Sequence, residues 1–291
     1  LDNNLTVRFV REDGSAFTVA RENSSWRFLK NNALEGFSEI DGDVSYVDNA
    51  TTDGGQITST RLGRKDRTIS FAHIIPSEND VARQSLLKFF IEFNTYKIYI
   101  TYYGRQLWCE GMLYKMSVPA NPDLTRLLTV TMTFVFENPY LRSIDDFGKD
   151  IASVTPAWAF PWLCTEAVGV PVGVYNFNQV IELENKGDSI ARPVITFVAK
   201  GPVVNPVINV GQGFVKLINT LATDDEVVMN FAVLPPRITK NGVNCIGKCD
   251  RTSTFNEIYL DIGMTEVSYD ADDGADNLSV TIKYNQLYAT I

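Results

Sequence analysis

The sequence predicts a mainly β protein in two parts, an amino-terminal β-domain with one packed helix followed by a β-sandwich. Three observations carry that prediction. Short stretches of alternating apolar and polar residues recur along the whole chain. The clearest helical period falls in a single segment, "SENDVARQSLLKFFIEF". The length, 291 residues, exceeds the usual size of one compact core, so two domains are expected, with one large all-β unit as the alternative.

Leu5, Val7 and Phe9 alternate with Thr6, Arg8 and Val10, "EDGS" turns the chain, and "AFTVA" resumes the alternation: an opening hairpin over an Asp-Gly turn. The chain starts with Leu and not Met, which suggests processing or a trimmed chain, and "LDNNLTVRFVRED" has no long apolar run, so it reads as a strand and not a signal peptide. "WRFLKNNALEGFSEIDGDVSYV" holds short apolar clusters broken at Gly36 and Gly42. From Asp41 to Thr60 the chain is polar, contains glycine and is too long for a tight turn; an extended hairpin or arm is expected, mobile in an isolated subunit. "TISFAHIIP" reads as a strand stopped by Pro76. The helix follows, with Ser77 as N-cap, Asp80 three residues on, and Ala82, Leu86, Phe89, Phe90 and Phe93 on one apolar face. Strands come next in "YKIYITYYG", "QLWCEGMLYKMSV" and "RLLTVTMTFVFENP". The last sets Leu128, Val130, Met132, Phe134 and Phe136 on one face against mostly threonines, a half-buried antiparallel edge or face.

After Pro139 the pattern breaks. Acidic residues, two prolines and no clean period mark a linker at about 141–161, dividing a first domain, 1–145, from a second, 146–291. Beyond it come many short strands with Gly, Asn or Pro at each break and no helical period, as in a sandwich or jelly roll.

Composition excludes several function classes. With 45% hydrophobic and 21% charged residues the chain should have a proper core. A net charge of -9 argues against general nucleic-acid binding, which gains affinity from clustered Lys and Arg releasing counterions. Cys109, Cys164, Cys245 and Cys249 are scattered and read as free thiols; the last two, at C-x3-C, match neither a zinc nor a redox spacing. With His73 as the one histidine, metal sites and histidine-dependent triads lack material, and neither metal nor cofactor is expected. No apolar run approaches the roughly 20 residues of a spanning helix, so no membrane is expected either.

"DADDGAD", Asp270 to Asp276, resembles a calcium loop, but Thr281 stands where an EF-hand would carry Glu, so a polar hairpin tip is favoured. Trp158, Phe160 and Trp162 in "AWAFPWL" could stack on sugars, though aromatics beside prolines between domains are more often packed. Glu182 with Glu184, or Asp224 with Asp225, are carboxylate pairs of the kind glycoside hydrolysis uses, without a readable pocket. No G-x-S-x-G, P-loop, H-E-x-x-H or dinucleotide fingerprint occurs, so catalysis is unsupported. That leaves "DGGQITSTRLGRKDRTISF", Asp53 to Phe71, where Arg61, Arg64, Lys65 and Arg67 crowd into an acidic chain. Arg61, Lys65 and Arg67 share a face only if Gly63 does not reverse the strand, and four basic groups could not hold a duplex against this background, so surface or interface pairing is favoured over a phosphate grip.

The order of these pieces resembles the distal tail proteins, called Dit, of long-tailed phages and prophages. The family's "R-x-I-x-F" strand is matched by Arg67, Ile69 and Phe71, and its Asn or Asp before Pro-Tyr by Asn138, Pro139 and Tyr140. The second-domain pattern is matched by Leu183, Asn185, Gly187, Asp188, Pro193, Ile195 and Phe197, and "STFNEIYLDIGMTEVSY" with "LSVTIKYNQLYATI" is similar to the closing strands; "DIGMTEV" lacks the Gly-Asn step frequent there. The resemblance implies a tail-tube-like first domain that assembles into a hexameric ring and a galectin-like second domain. It implies a structural, non-enzymatic role in the virion, made in the host cytoplasm: joining the tail tube protein to a tail-tip or lysin-type hub protein, carrying receptor-binding protein in many phages, and leaving a channel that DNA crosses without specific binding. Asp53, Arg61, Arg64, Lys65 and Arg67 are then candidates for the subunit interface. The alternatives are a cell-wall or glycan-binding protein, a glycosidase, and the equivalent hub of a contractile tail or phage-derived particle.

Overall fold

The computed structural model describes residues 5–28, 33–49, 51–119, 126–144, 147–150, 152–156, 173–177 and 180–291. The chain forms two compact units: residues 1–144 together with 288–291, and residues 145–287.

The first unit is built on a sheet that closes on itself. Its strands are β1 (Thr6–Val10), β2 (Ala16–Ala20), β3 (Trp26–Arg27), β4 (Leu34–Glu35), β5 (Asp43–Asp48), β6 (Gly55–Arg61), β7 (Lys65–His73), β8 (Thr95–Tyr102), β9 (Arg105–Ser117), β10 (Leu128–Phe136) and β11 (Leu141–Ser143). The order β10-β7-β3-β2-β1-β8-β9 returns to β10 because the long β9 pairs β8 along its first part and β10 along its last. Closure removes the open edges that invite aggregation. The expected hairpin is present, β1 against β2, with Gly14 at φ +82 in its turn. β10 has the predicted alternation, but it is paired on both sides and so is a wall strand and not an edge.

Helix α1 (Asn79–Phe89) lies on this barrel. Ala82 and Leu86 are buried, and Phe90, just past the last turn, meets Phe9, Phe17 and Tyr96 edge to face or tilted at 5.1–5.4 Å. Two details depart from expectation. Ser77 does not cap: Pro76–Glu78 form a 3-10 turn first, and no side chain caps the helix. Phe93 is not on the apolar face: the helix ends before it, and with φ +62 its side chain is 68% exposed.

The second unit contains β12 (Phe147–Asp150), β13 (Ala152–Pro156), β14 (Gly173–Phe177), β15 (Val180–Asn185), β16 (Val194–Ala199), β17 (Val203–Val210), β18 (Gly213–Lys216), β19 (Thr220–Leu221), β20 (Glu226–Asn230), β21 (Arg237–Lys240), β22 (Val243–Asn244), β23 (Gly263–Asp273) and β24 (Leu278–Tyr284). One sheet runs β12-β24-β16-β20-β21-β22 and the other β15-β23-β17-β18, with β13 and β14 as a separate pair. Ile195, Phe197, Val227, Val280 and Ile282 from the first sheet share a core with Leu183, Ile208, Val210, Val215 and Val267 from the second. This is a β-sandwich with alternating inward residues. The stretch expected as linker, about 141–161, holds β11, β12 and β13, and residues 288–291 belong to the first unit although they follow the second in sequence.

Candidate assembly interface

The segment expected to be an arm is the ribbon β5–β6, and every one of its strand residues is exposed. Its register sorts the side chains. Asp43 opposite Arg61, Ser45 opposite Ser59 and Val47 opposite Gln56 share one face; Val44 opposite Thr60 and Tyr46 opposite Ile57 share the other, with a bulge beside Tyr46. The second face therefore carries an apolar patch of Val44, Tyr46 and Ile57, bounded by Thr60 and by Asp48 opposite Gly55, with Tyr46 68% and Ile57 69% exposed. An isolated two-stranded hairpin is marginal in water, so such a face calls for cover. The run Val44, Tyr46 at a spacing of two was the sequence signal for it, diluted by serines, threonines and aspartates around it.

The root of the arm is held differently. β4 pairs β7, Leu34 opposite Ile69 and Glu35 opposite Thr68. Arg67 is 0% exposed; its Nε donates to the Gly36 carbonyl at 3.2 Å and its Nη2 to the Pro139 carbonyl at 2.7 Å. Its guanidinium sits 4.9 Å from the centres of both the Phe37 and Phe136 rings, a cation between two π faces. Burial lowers its pKa, yet arginine stays charged, and the hydrogen bonds and rings compensate part of the desolvation. Phe136 in turn lies so close to Gly111 that a Cβ there would stand 2.6 Å from the ring. Burial pushes the neighbouring Cys109 thiol up to about 12, against the pull of Arg67, so it is an inert core thiol. Lys65, two residues before Arg67, is buried and donates from Nζ to the Glu39 carbonyl at 2.7 Å; burial, then Arg67, lowers its pKa.

The basic cluster is thus divided by its own fold. Lys65 and Arg67 face inward with Ile69 and Phe71 and serve the subunit that carries them. Arg61 pairs with Asp43 across the arm at 3.0 Å, both well exposed. Arg64 is exposed, at a charged cleft of about 650 Å³ that also holds Glu39, Asp41, Asp43 and Asp66. Asp53 is exposed at the arm tip. Of the five interface candidates, Asp53, Arg61 and Arg64 are exposed, while Lys65 and Arg67 are buried within their own subunit, because alternation with Ile69 and Phe71 takes them inside.

Several of the other candidates make contacts within their own unit. His73 is buried, with Nδ1 3.0 Å from Asn79 Oδ1 and its ring 4.9 Å from Trp26. Asp272 accepts from Lys216 Nζ at 2.6 Å and Asn205 Nδ2 at 2.8 Å in the stretch read as a hairpin tip. Asp225 accepts from the Ala222 amide, Asn241 and Lys240, bonds that lower its pKa to about 2, with Lys240 the largest contributor. Glu182 and Glu184 lie exposed on one face of β15, Glu184 3.1 Å from Lys186. Cys109, Cys245 and Cys249 are free; Cys164 and the aromatics Trp158, Phe160 and Trp162 lie outside the described residues. Among the described residues no group of three or more His, Cys, Asp or Glu is placed to hold a metal ion, and no helix is long and apolar enough to cross a membrane.

The second-unit motif has a physical basis. Asn185 is buried, donating to the Ser189 and Leu260 carbonyls at 2.9 and 3.2 Å and accepting from the Gly187 amide at 3.0 Å, while a Cβ at Gly187 would stand 2.6 Å from the Leu287 carbonyl oxygen. Residues 186–288 match the family model described as "Siphovirus-type tail component, C-terminal domain". No curated protein sequence matches the chain. Among solved structures it is similar to the SPP1 Dit protein, described as a paradigm of the hub adsorption apparatus in phages infecting Gram-positive hosts: TM-score 0.65 at 15% identity, over 97% of this chain and 98% of that one. It is also similar to a chain of the phage P2 baseplate in its activated conformation with Ca, TM-score 0.53 at 10% identity, over 99% of each.

A barrel bearing one helix and an arm, followed by a sandwich, is the fold this chain shares with the SPP1 Dit protein. The resemblance to the distal tail proteins holds on both counts, in the family pattern of the second unit and in the fold of the whole chain.

Proposed function

We propose that the chain is a hub protein of a phage tail tip. Subunits assemble, six to a ring, between the tail tube and the tip complex, with the receptor-binding apparatus attached to the hub, a central channel for DNA, and no catalytic step of its own. The observation that carries this is the arm: an apolar ribbon face that its own chain leaves bare, on a barrel closed everywhere else. In a ring each arm is covered by the next copy, and cyclic symmetry covers all arms alike. Arg61 and Arg64 set register with acidic groups of the neighbour and Asp53 with a basic one, while the buried contact comes from Val44, Tyr46 and Ile57. The net charge of -9 suits a conduit through which DNA slides, because it offers few groups to hold phosphates.

Light scattering over a concentration series, with negative-stain images, tests the reading: open six-subunit rings are expected, alone or on tail tubes. Replacing Tyr46 and Ile57 together by Asp should leave a monomer whose unfolding free energy moves by no more than about 0.5 kcal/mol. Rings that persist in that variant would refute the role of the arm face.

A further inference from the structure

The arm root is held from one more direction. Residues 288–291 return to the first unit. There the Ile291 amide donates to the Phe37 carbonyl at 3.1 Å, Ile291 and Tyr288 pack against the barrel core, and the Arg105 guanidinium lies 4.5 Å from the Tyr288 ring centre. Phe37 is the buried residue whose ring Arg67 covers. From Gly36 to Glu39 the backbone is therefore fixed at three carbonyls: Gly36 by Arg67, Phe37 by Ile291 and Glu39 by Lys65. Directly after Glu39, Ile40 is exposed and the arm begins.

We propose that residues 288–291 are a strap that makes presentation of the arm conditional on completion of the second unit. Arg67 and Lys65 are supplied by the first unit itself. The third tie reaches Phe37 only after the chain has passed through the whole of residues 145–287 and returned. A subunit whose second unit is unfinished or unfolded lacks that tie, its arm root is loose, and its arm is not held at the angle a neighbour needs. Incomplete chains are thereby kept out of the assembly, and this consequence rests on the ring reading; the strap itself does not.

Hydrogen–deuterium exchange on the full chain separates the two. Deleting residues 288–291 removes the strap, and Ile291→Pro removes its donating amide together with the packing of the Ile291 side chain. Both should speed exchange across Ala33–Glu39 by roughly tenfold or more while β16, β20 and β23 keep their protection. If the deletion does not fold, Ile291→Pro decides. Unchanged exchange in Ala33–Glu39, or an equal rise in both units, overturns the strap. Under conditions where the unaltered chain forms rings, the deletion should form none; rings built from subunits with a loosened root overturn the conditional assembly. Failure of the unaltered chain to form rings bears on the hub reading alone, since the exchange result does not depend on it.

Discussion

β6 and β7 are neighbours in sequence, separated by three residues, and both carry arginine, yet one is exposed along its whole length and the other has alternate residues in the core. Arg61 on β6 has 78% of its side-chain surface exposed and meets Asp43 in water, whereas Arg67 on β7 is fully enclosed and meets carbonyls and aromatic rings. Charge alone therefore does not tell where a basic residue goes; its neighbours at two-residue spacing do. Ile69 and Phe71 carry Arg67 inward, while Ser59 beside Arg61 gives the core nothing to hold.

The largest break in this comparison comes from Arg67→Ala. It leaves a void between two rings and orphans the Gly36 and Pro139 carbonyls, and should destabilise the first unit by about 3–5 kcal/mol in urea unfolding. A loss below about 1 kcal/mol would mean that Arg67 is no more structural than Arg61. Gly111→Ala should cost about 1–3 kcal/mol, because the Phe136 ring has to leave its place against Arg67. Arg61→Ala should cost no more than about 1 kcal/mol, the ordinary worth of an exposed ion pair, and salt should erase that cost.

The smallest effect sharpens the comparison from the second unit, where the Lys240–Asp225 pair at 2.7 Å is less exposed than the arm pair. The Asp225 pKa is lowered from 3.8 to about 2, so its stabilising contribution is complete above about pH 4 and is lost as pH falls through about 2. Asp225→Asn should flatten the pH dependence of unfolding in that window and lower stability at neutral pH, where the contribution is fully present, as followed by circular dichroism.

Much of the β content was legible because it rests on local alternation: the opening hairpin, β7 and β10 all show period two. The helix was legible from its apolar spacing, but its start was set by Pro76 and by Asn79, whose side chain bonds His73 and the Arg126 carbonyl instead of capping. Closure of the barrel was not legible, since it depends on β9 changing partners midway, a long-range pairing that leaves no periodic trace. The arm was legible as polar and long; the sorting of its faces needed the register around the bulge. The inward turn of Arg67 was readable from Ile69 and Phe71, but the tie from Ile291 to Phe37 joins opposite ends of the sequence and had no signal in it.

The wall of the barrel is joined unevenly. β7 and β10 are matched over nine residue pairs, while β2 and β3 meet in parallel at a single pair, Ala20 with Arg27. β3 in turn meets β7 at only two pairs, so the wall is weakly joined on both sides of β3 and behaves as a cuff with a clasp there. Heat should open the wall first at that joint, where few backbone hydrogen bonds hold it, and leave the long seams in register.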